Sequence, residues 1–428
     1  MPLELPKSRR EIAALQAKRK VAALEQARRA PFFRGKLDHV DAAKLDDPEE
    51  WRKIPILDKD MLRALSEAEF YANFCLKPKD GIAEYWRSGG ATGKPLFYPR
   101  SPTDIRYGLL SFRRALEIAG CTAGDSAHVS FPLGIHPVGQ IFARCAGEAG
   151  VAVNWAGAGN STPSAVQLEL IQGLRPSVWM GMSSYALHLA NLADARGIDL
   201  SQGSVRTMLC SAEPLSEAKR LKMARTWNAR VVDCFGMTEA GMMGAEDGAD
   251  GGFRIWTDMY DIEVLDPETL LPVADGEIGT LVVTPLWTNN ATPFLRWSSG
   301  DLVVRTEADD ASGPYAVFPK LRHTHRTTGF FKVRGVNVNH AEFEDFVFRN
   351  PEVNDFKCEL TGDGGLDQLR LSIEVRRGAD AAAVSGALLQ ATRNTFVVTA
   401  ELVVLESGTL AREFESSVKA PRFADKRQ

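Results

Sequence analysis

The order of segments predicts an α/β chain. It has a large N-terminal domain, in which parallel sheets are covered by helices beside a small β-barrel-like subdomain, and a small mobile α+β lid at the C-terminus. Three observations predict it. Between residues 104 and 227, short apolar runs alternate with stretches of helical periodicity, the pattern of parallel strands joined by helical crossovers. From about Phe253 the runs become β-rich and are broken by Gly, Pro and Asp, which marks a mainly antiparallel subdomain. After residue 330 a new alternation begins, enough for a separate unit. The expected division is therefore 1–328 and 329–428.

Taken in order, residues 8–30 form a helix, because Ile12, Leu15, Val21 and Leu24 recur near helical spacing among Arg and Lys. Its acidic residues Glu11 and Glu25 favour a packed helix over a membrane-binding one. Asp58 or Asp60 caps a helix starting near Met61. Helices follow at Asp104–Ala119, through Gly147, at Gln167–Gly173, Ser183–Arg196 and Ser216–Trp227. Strands fall at His128–Leu133, Val151–Trp155, Ser177–Met180 and Arg206–Cys210. Right-handed crossovers place the strand-end loops on one edge, where open α/β sheets bind ligands. Later strands are Ile262–Leu265, Gly279–Thr284 and Leu302–Arg305. The tail reads as strand, helix 341–349, strand 368–375, helix 380–396 and strand 401–405.

Bulk properties exclude several classes. The net charge of −4 gives no electrostatic case for nucleic acid or an anionic membrane. No apolar run approaches a membrane span, and Met1-Pro-Leu-Glu lacks a secretory leader. The six cysteines are scattered without a CxxC pair, which points to a reducing cytoplasm and away from zinc or disulfides. His323 and His325 are the one close histidine pair, and a polar loop or substrate contact fits them better than a metal site.

The chemistry starts in Ser88-Gly-Gly-Ala-Thr-Gly-Lys-Pro95. Glycines let backbone N–H groups approach a ligand, and two hydroxyls and an ammonium add donors suited to phosphate. The spacing is neither a Walker A loop nor a dinucleotide fingerprint, and a solvated hairpin turn is the plain alternative. Ala212-Glu213-Pro214 ends a strand, where it either lines a flat ligand or places Glu213 in the first turn of a helix. Phe235-Gly236-Met-Thr238-Glu239 runs from a strand into an aromatic suited to a purine and into oxygen ligands suited to magnesium. Asp301 follows Gly300 at a strand start, where a carboxylate accepts both ribose hydroxyls or simply closes a turn. Glycines around Phe330–Arg334 allow a hinge, and Arg326 beside it could reach ribose or phosphate.

In sequence order these motifs resemble the adenylate-forming superfamily, and within it the phenylacetate–CoA ligase-like family, over nearly the whole chain. The resemblance implies activation of a carboxylic acid by ATP to an acyl-adenylate, then transfer to coenzyme A, with magnesium bound. It implies that Ser88, Thr92, Gly93 and Lys94 hold the β- and γ-phosphates. It implies that Ala212, Glu213, Pro214 and Phe235, with Gly236 adjoining, bound the adenine. Thr238 and Glu239 would serve magnesium and the α-phosphate, Asp301 and Arg326 the ribose, and Lys419 the adenylation step. The acid pocket would lie between the loop Phe131–Gly139 and the helix of Tyr185, with His136 the other candidate and Trp155 and Trp179 nearby. That lining suits an aryl acid better than a long acyl chain. Two copies often pair in this family.

Three positions depart from the family pattern. Ser298-Ser299 replaces Arg-Thr, Phe235 replaces the common Tyr, and Thr328-Gly329 replaces an acidic pair at the hinge. The last keeps a second reading open, an acyl-adenylating enzyme whose acceptor is an amine, a carrier protein or a reductase partner. A nucleotide-binding protein without turnover is the third reading, opposed by the presence of Lys94, Glu239 and Lys419.

Overall fold

The computed structural model describes residues 3–87, 97–248, 252–307, 313–324, 330–333, 336–363, 366–412 and 422–427. Contacts divide the chain into two compact units. The first holds Met1–Gly120, Gly134–Pro137 and Cys234–His325, and the second holds Cys121–Leu133, Val138–Asp233 and Arg326–Gln428.

In the first unit, the N-terminal helix spans Arg9–Arg28, capped by Ser8, whose hydroxyl accepts from the Glu11 N–H. It buries Ile12, Ala23, Leu24 and Ala27. Lys20 pairs with Asp261 at 2.9 Å, and Gln16 donates to the Thr257 carbonyl at 2.7 Å. The helix is thus packed, as its acidic residues indicate. Asp58 accepts from the Met61 N–H and caps the short helix Lys59–Arg63, so that helix begins two residues before the expected start. An aromatic core gathers Phe33, Trp51, Phe70, Phe74, Tyr98, Phe294 and Trp297. The sheet here is antiparallel, in the order Tyr260–Leu265, Ile278–Pro285, Trp297–Thr306, Lys320–His323, Phe253–Ile255, Gly241–Glu246 and then Cys234–Met237. Helix Pro102–Ile118 starts with a Ser101/Asp104 capping box, and its Arg114 grips Asp258 through two 2.7 Å bonds. Both side chains of that pair are buried, so the fork geometry offsets the desolvation of the two ions.

In the second unit, five parallel strands lie in the order Ala152–Asn154, Ser126–Val129, Val178–Gly181, Thr207–Cys210 and Arg230–Asp233. Helices Pro137–Glu148, Ser164–Leu174, Ser183–Ala195 and Glu217–Trp227 make the crossovers. The order reverses between Ser126–Val129 and Val178–Gly181. A doubly wound sheet binds ligands at the carboxyl ends of strands beside such a switch.

The C-terminal stretch of this unit forms its own sheet, in the order Ala400–Leu405, Leu366–Val375, Val353–Asp363 and Phe423–Asp425. Helices His340–Phe348 and Ala381–Phe396 complete it. Strand Val353–Asp363 has no counterpart in the sequence reading. Its second and third residues, Asn354 and Asp355, are polar but buried, which hides the apolar alternation that marks a strand.

Candidate active site

The strand Arg230–Met237 carries the aromatic-glycine motif. Phe235 stacks on Phe253, with centroids 5.4 Å apart, and meets the edge of His323 at 5.8 Å. Gly236 sits at a register shift opposite Gly241–Met242. A Cβ there would lie 2.6 Å from the Gly241 carbonyl, so the close approach of the two strands requires glycine. Gly236→Ala is expected to destabilise the protein by about 1–3 kcal/mol, read as a lower urea midpoint. A midpoint equal to that of the unmodified protein would contradict the packing argument.

Glu239 follows in the turn and is buried. Its Oε1 accepts from the Tyr98 hydroxyl at 3.1 Å, and it enters no ion pair among the described residues. Burial, then the Glu239 charge, pushes the Tyr98 phenol above its ordinary pKa, so it remains a donor. Arg100 is also buried, and its guanidinium donates to the carbonyls of Thr288 (2.9 Å), Glu239 (2.7 Å) and Thr238. The Thr238-Glu239 turn is therefore held by its backbone, while Glu239 Oε1 is oriented by Tyr98. A buried carboxylate whose hydrogen-bond partner among the described residues is a neutral hydroxyl fits a magnesium ion completed by substrate phosphates. Among the described residues no group of three His, Cys, Asp or Glu forms a closed metal site.

Asp301 lies on a bulge. Thr280 pairs with Leu302 and Val282 with Ser298, so Leu281 alone opposes Ser299, Gly300 and Asp301. Gly300 takes φ +78° there, a conformation that favours glycine. The Ser299 hydroxyl donates to Asp301 Oδ2 at 2.5 Å, and His323 Nε2 lies 3.2 Å from Oδ1. Ser299, a departure from the family pattern, thus has a defined task in orienting the carboxylate. His323 also brings Asp301 to the edge of Phe235. His136, in the same unit, is half-buried.

In the second unit, Ala212 takes φ +73°, strained for a residue with a Cβ. Glu213 turns back to helix Ser183–Ala195, whose N-cap residue, Met182, has no side-chain oxygen to offer. Its carboxylate accepts from Ser183 Oγ at 2.5 Å, Ser184 Oγ at 2.8 Å and the Ser184 N–H. Burial raises the Glu213 pKa, but Lys219 and these donors outweigh it and the net shift is downward. Glu213 thus caps the preceding helix, not the first turn of the following one. Ala212 and Pro214 stay exposed beside it.

Tyr185 is buried at the switch point, with its hydroxyl 2.9 Å from Ser164 Oγ and 2.8 Å from Gln167 Nε2. Gln167 Oε1 accepts from Ser130 at 2.8 Å and lies 3.1 Å from His128 Nε2. Burial pushes His128 down to about 4, so it is neutral near pH 7. Trp179 is fully buried, whereas Trp155 is half exposed. Ser88, Thr92, Gly93, Lys94, Arg326 and Lys419 lie outside the described residues, as do Thr328 and Gly329.

Sequence reasoning missed Tyr98 and Arg100 as site residues, since neither carries a local motif. For His323 it offers a polar loop or substrate contact but not the meeting with Asp301.

Comparison with known proteins bears on family and fold. The AMP-binding enzyme family matches residues 77–286. The phenylacetate-coenzyme A ligase of Thermus thermophilus is 30% identical over 377 residues, covering 86% of this chain and 82% of the relative. The Escherichia coli protein of the same name is 27% identical over 379 residues, 86% of this chain and 84% of the relative. Among solved structures, 2-hydroxyisobutyryl-CoA ligase in its postadenylation state superposes with a TM-score of 0.85 over 98% of this chain and 90% of that one. At 23% identity this likeness shows the fold.

Fold and relatives together define the class: an AMP-forming enzyme that activates carboxylic acids. The chain belongs to the phenylacetate–CoA ligase family of adenylate-forming enzymes. It is an acid–CoA ligase, converting an acid with ATP to an acyl-adenylate and passing the acyl group to coenzyme A. No helix among the described residues is long and apolar enough to cross a membrane.

Proposed function

We propose that this enzyme activates an aryl or arylacetic acid, and that the acid binds at the carboxyl edge of the parallel sheet. The observation that carries this reading is the switch point, where Tyr185 and the loop after Val129 meet the end of strand Val178–Gly181. The Ser130 N–H donates to the Met180 carbonyl at 2.7 Å and fixes that loop. The surrounding network of Ser130, Gln167, Ser164 and Tyr185 is already paired internally, which presents a firm wall instead of donors for a polar acyl chain. The names of the relatives point to the same acid class.

In this reading Glu239 carries the magnesium ion, which neutralises charge on the phosphates when bound. Thr238 offers its hydroxyl to the α-phosphate. Asp301, oriented by Ser299 and His323, accepts the ribose hydroxyls. Phe235 and the Ala212–Pro214 loop would meet adenine, with Glu213 shaping that loop. Ser88, Thr92, Gly93 and Lys94 would cradle the leaving pyrophosphate, Arg326 would add a ribose contact, and Lys419 would meet the attacking carboxylate. Residues 329–428 would act as the lid.

The test is pyrophosphate release with ATP, magnesium and a panel of aryl, arylacetic and short aliphatic acids, with and without coenzyme A. Arylacetic or aryl acids should give the highest kcat/KM, and coenzyme A should yield a thioester. A preference for short hydroxy or aliphatic acids would overturn the assigned acid class. Adenylate formation indifferent to coenzyme A would shift attention to Thr328 and Gly329.

A further inference from the structure

The contacts that join the C-terminal sheet to the helix Glu217–Trp227, all inside the second unit, are charged where an apolar seam would be simpler. Helix Glu217–Trp227 directly follows the Ala212–Pro214 loop. In its first turn the Ala218 N–H donates to Asp345 Oδ1 at 2.9 Å, and Lys219 Nζ pairs with Glu344. One turn on, Lys222 Nζ donates to the carbonyls of Val353 and Asn354 and lies 4.7 Å from the Phe348 ring centroid. Asn354 in turn donates to Asp194 at 3.0 Å. Behind this row Arg422 holds Asp355 at 3.0 Å, with its guanidinium over Phe348 and Phe356. Arg422 stands three residues after Lys419 in the sequence.

The Lys219 and Lys222 side chains are almost wholly buried. Burying ammonium groups where Leu or Met would pack is poor design for permanent adhesion, because desolvation offsets most of the attraction. It suits a contact that must part, since separated ions regain their water while separated apolar faces do not. The C-terminal sheet has its own aromatic core, in which Phe343, Phe356 and Phe423 touch one another, so it does not depend on this seam for its interior.

We propose that Lys219 is a positioning residue for acid adenylation: through Glu344 it latches the C-terminal segment that carries Lys419 to the helix that follows the adenine loop. The proposal rests on the nucleotide reading given above. Glu213, cap of the neighbouring helix, lies within the field of Lys219, so the loop and the latch share one charge. Other charges facing the seam are Asp194, Arg225, Asp355 and Arg422, and these remain unchanged in the test.

Three variants decide it: Lys219→Met, Glu344→Gln and the swap Lys219→Glu with Glu344→Lys. Each is assayed for acid-dependent pyrophosphate–ATP exchange and, separately, for thioester formation from synthetic acyl-adenylate and coenzyme A. Each single variant should lose about tenfold or more in exchange kcat, with KM for ATP changed little and the thioester step not slowed. The swap should recover most of the exchange. Thermal denaturation checks folding, and Glu344→Gln stands if Lys219→Met does not fold. Exchange unchanged in Glu344→Gln, equal loss in both half-reactions, or no recovery in the swap would overturn the latch. Absence of acid-dependent exchange in the unmodified enzyme would instead overturn the nucleotide reading.

Discussion

Lys419→Ala is expected to lower acid-dependent pyrophosphate release by about 10²–10³-fold while ATP still binds with near-normal affinity. The reason is charge. As the acid's carboxylate attacks the α-phosphorus, negative charge gathers on oxygens of both partners, and the pyrophosphate leaves with more. A cation fixed in advance at that point stabilises the transition state more than bound ATP. Its loss therefore appears in kcat and spares binding. Thioester formation from synthetic acyl-adenylate should persist, because phosphorus is not attacked in that step and its charge builds on the acyl carbonyl oxygen instead. The measurement is single-turnover pyrophosphate release beside nucleotide binding by calorimetry. Release at the unmodified rate would remove Lys419 from the reaction, and equal loss of ATP binding would make it a binding residue.

Legibility in the sequence followed periodicity. Strands such as Val178–Gly181 and Thr207–Cys210 are continuous apolar runs buried on both faces, and so they announce themselves. Gly300-Asp301 marks a turn at a strand start by its residues alone, and only the family resemblance points it to ribose. What stayed hidden depends on partners distant along the chain. Tyr98 meets Glu239 across 141 residues, and nothing local distinguishes it from any strand tyrosine. His323 finds Asp301 only because two antiparallel strands bring Val303 opposite it. For Glu213 the sequence leaves open a flat ligand or the first turn of the next helix. The cap it makes depends on Met182 having no side-chain oxygen, a need visible only once strand Thr207–Cys210 lies beside Val178–Gly181. The family resemblance supplied the order of the motifs, while the structure supplied the residues that hold them.

Arg100→Met should be the most damaging change among the described residues outside the direct ligand contacts, costing about 3–5 kcal/mol of stability and most of the activity. Arg100 is fully buried, yet among the described residues it enters no salt bridge. Burial lowers its pKa, and the charges of Asp104 and Glu239 partly restore it. Its donors go to three carbonyls, those of Thr288, Thr238 and Glu239. Methionine fills similar volume but offers no donor, so those carbonyls lose their partners inside the protein, at about 1–3 kcal/mol each before relaxation. The loss falls on the turn that presents Glu239. Residual folded enzyme should therefore show a raised magnesium requirement, which a purely global loss of stability would not produce. Arg100→Lys keeps the charge but not the planar fork, and should recover part of the stability with less of the magnesium affinity. The check is a urea midpoint for each variant, together with a magnesium titration of pyrophosphate release at a temperature where each remains folded. A lower midpoint with an unchanged magnesium titration would leave Arg100 as a packing residue and detach Tyr98 and Arg100 from the chemistry of Glu239.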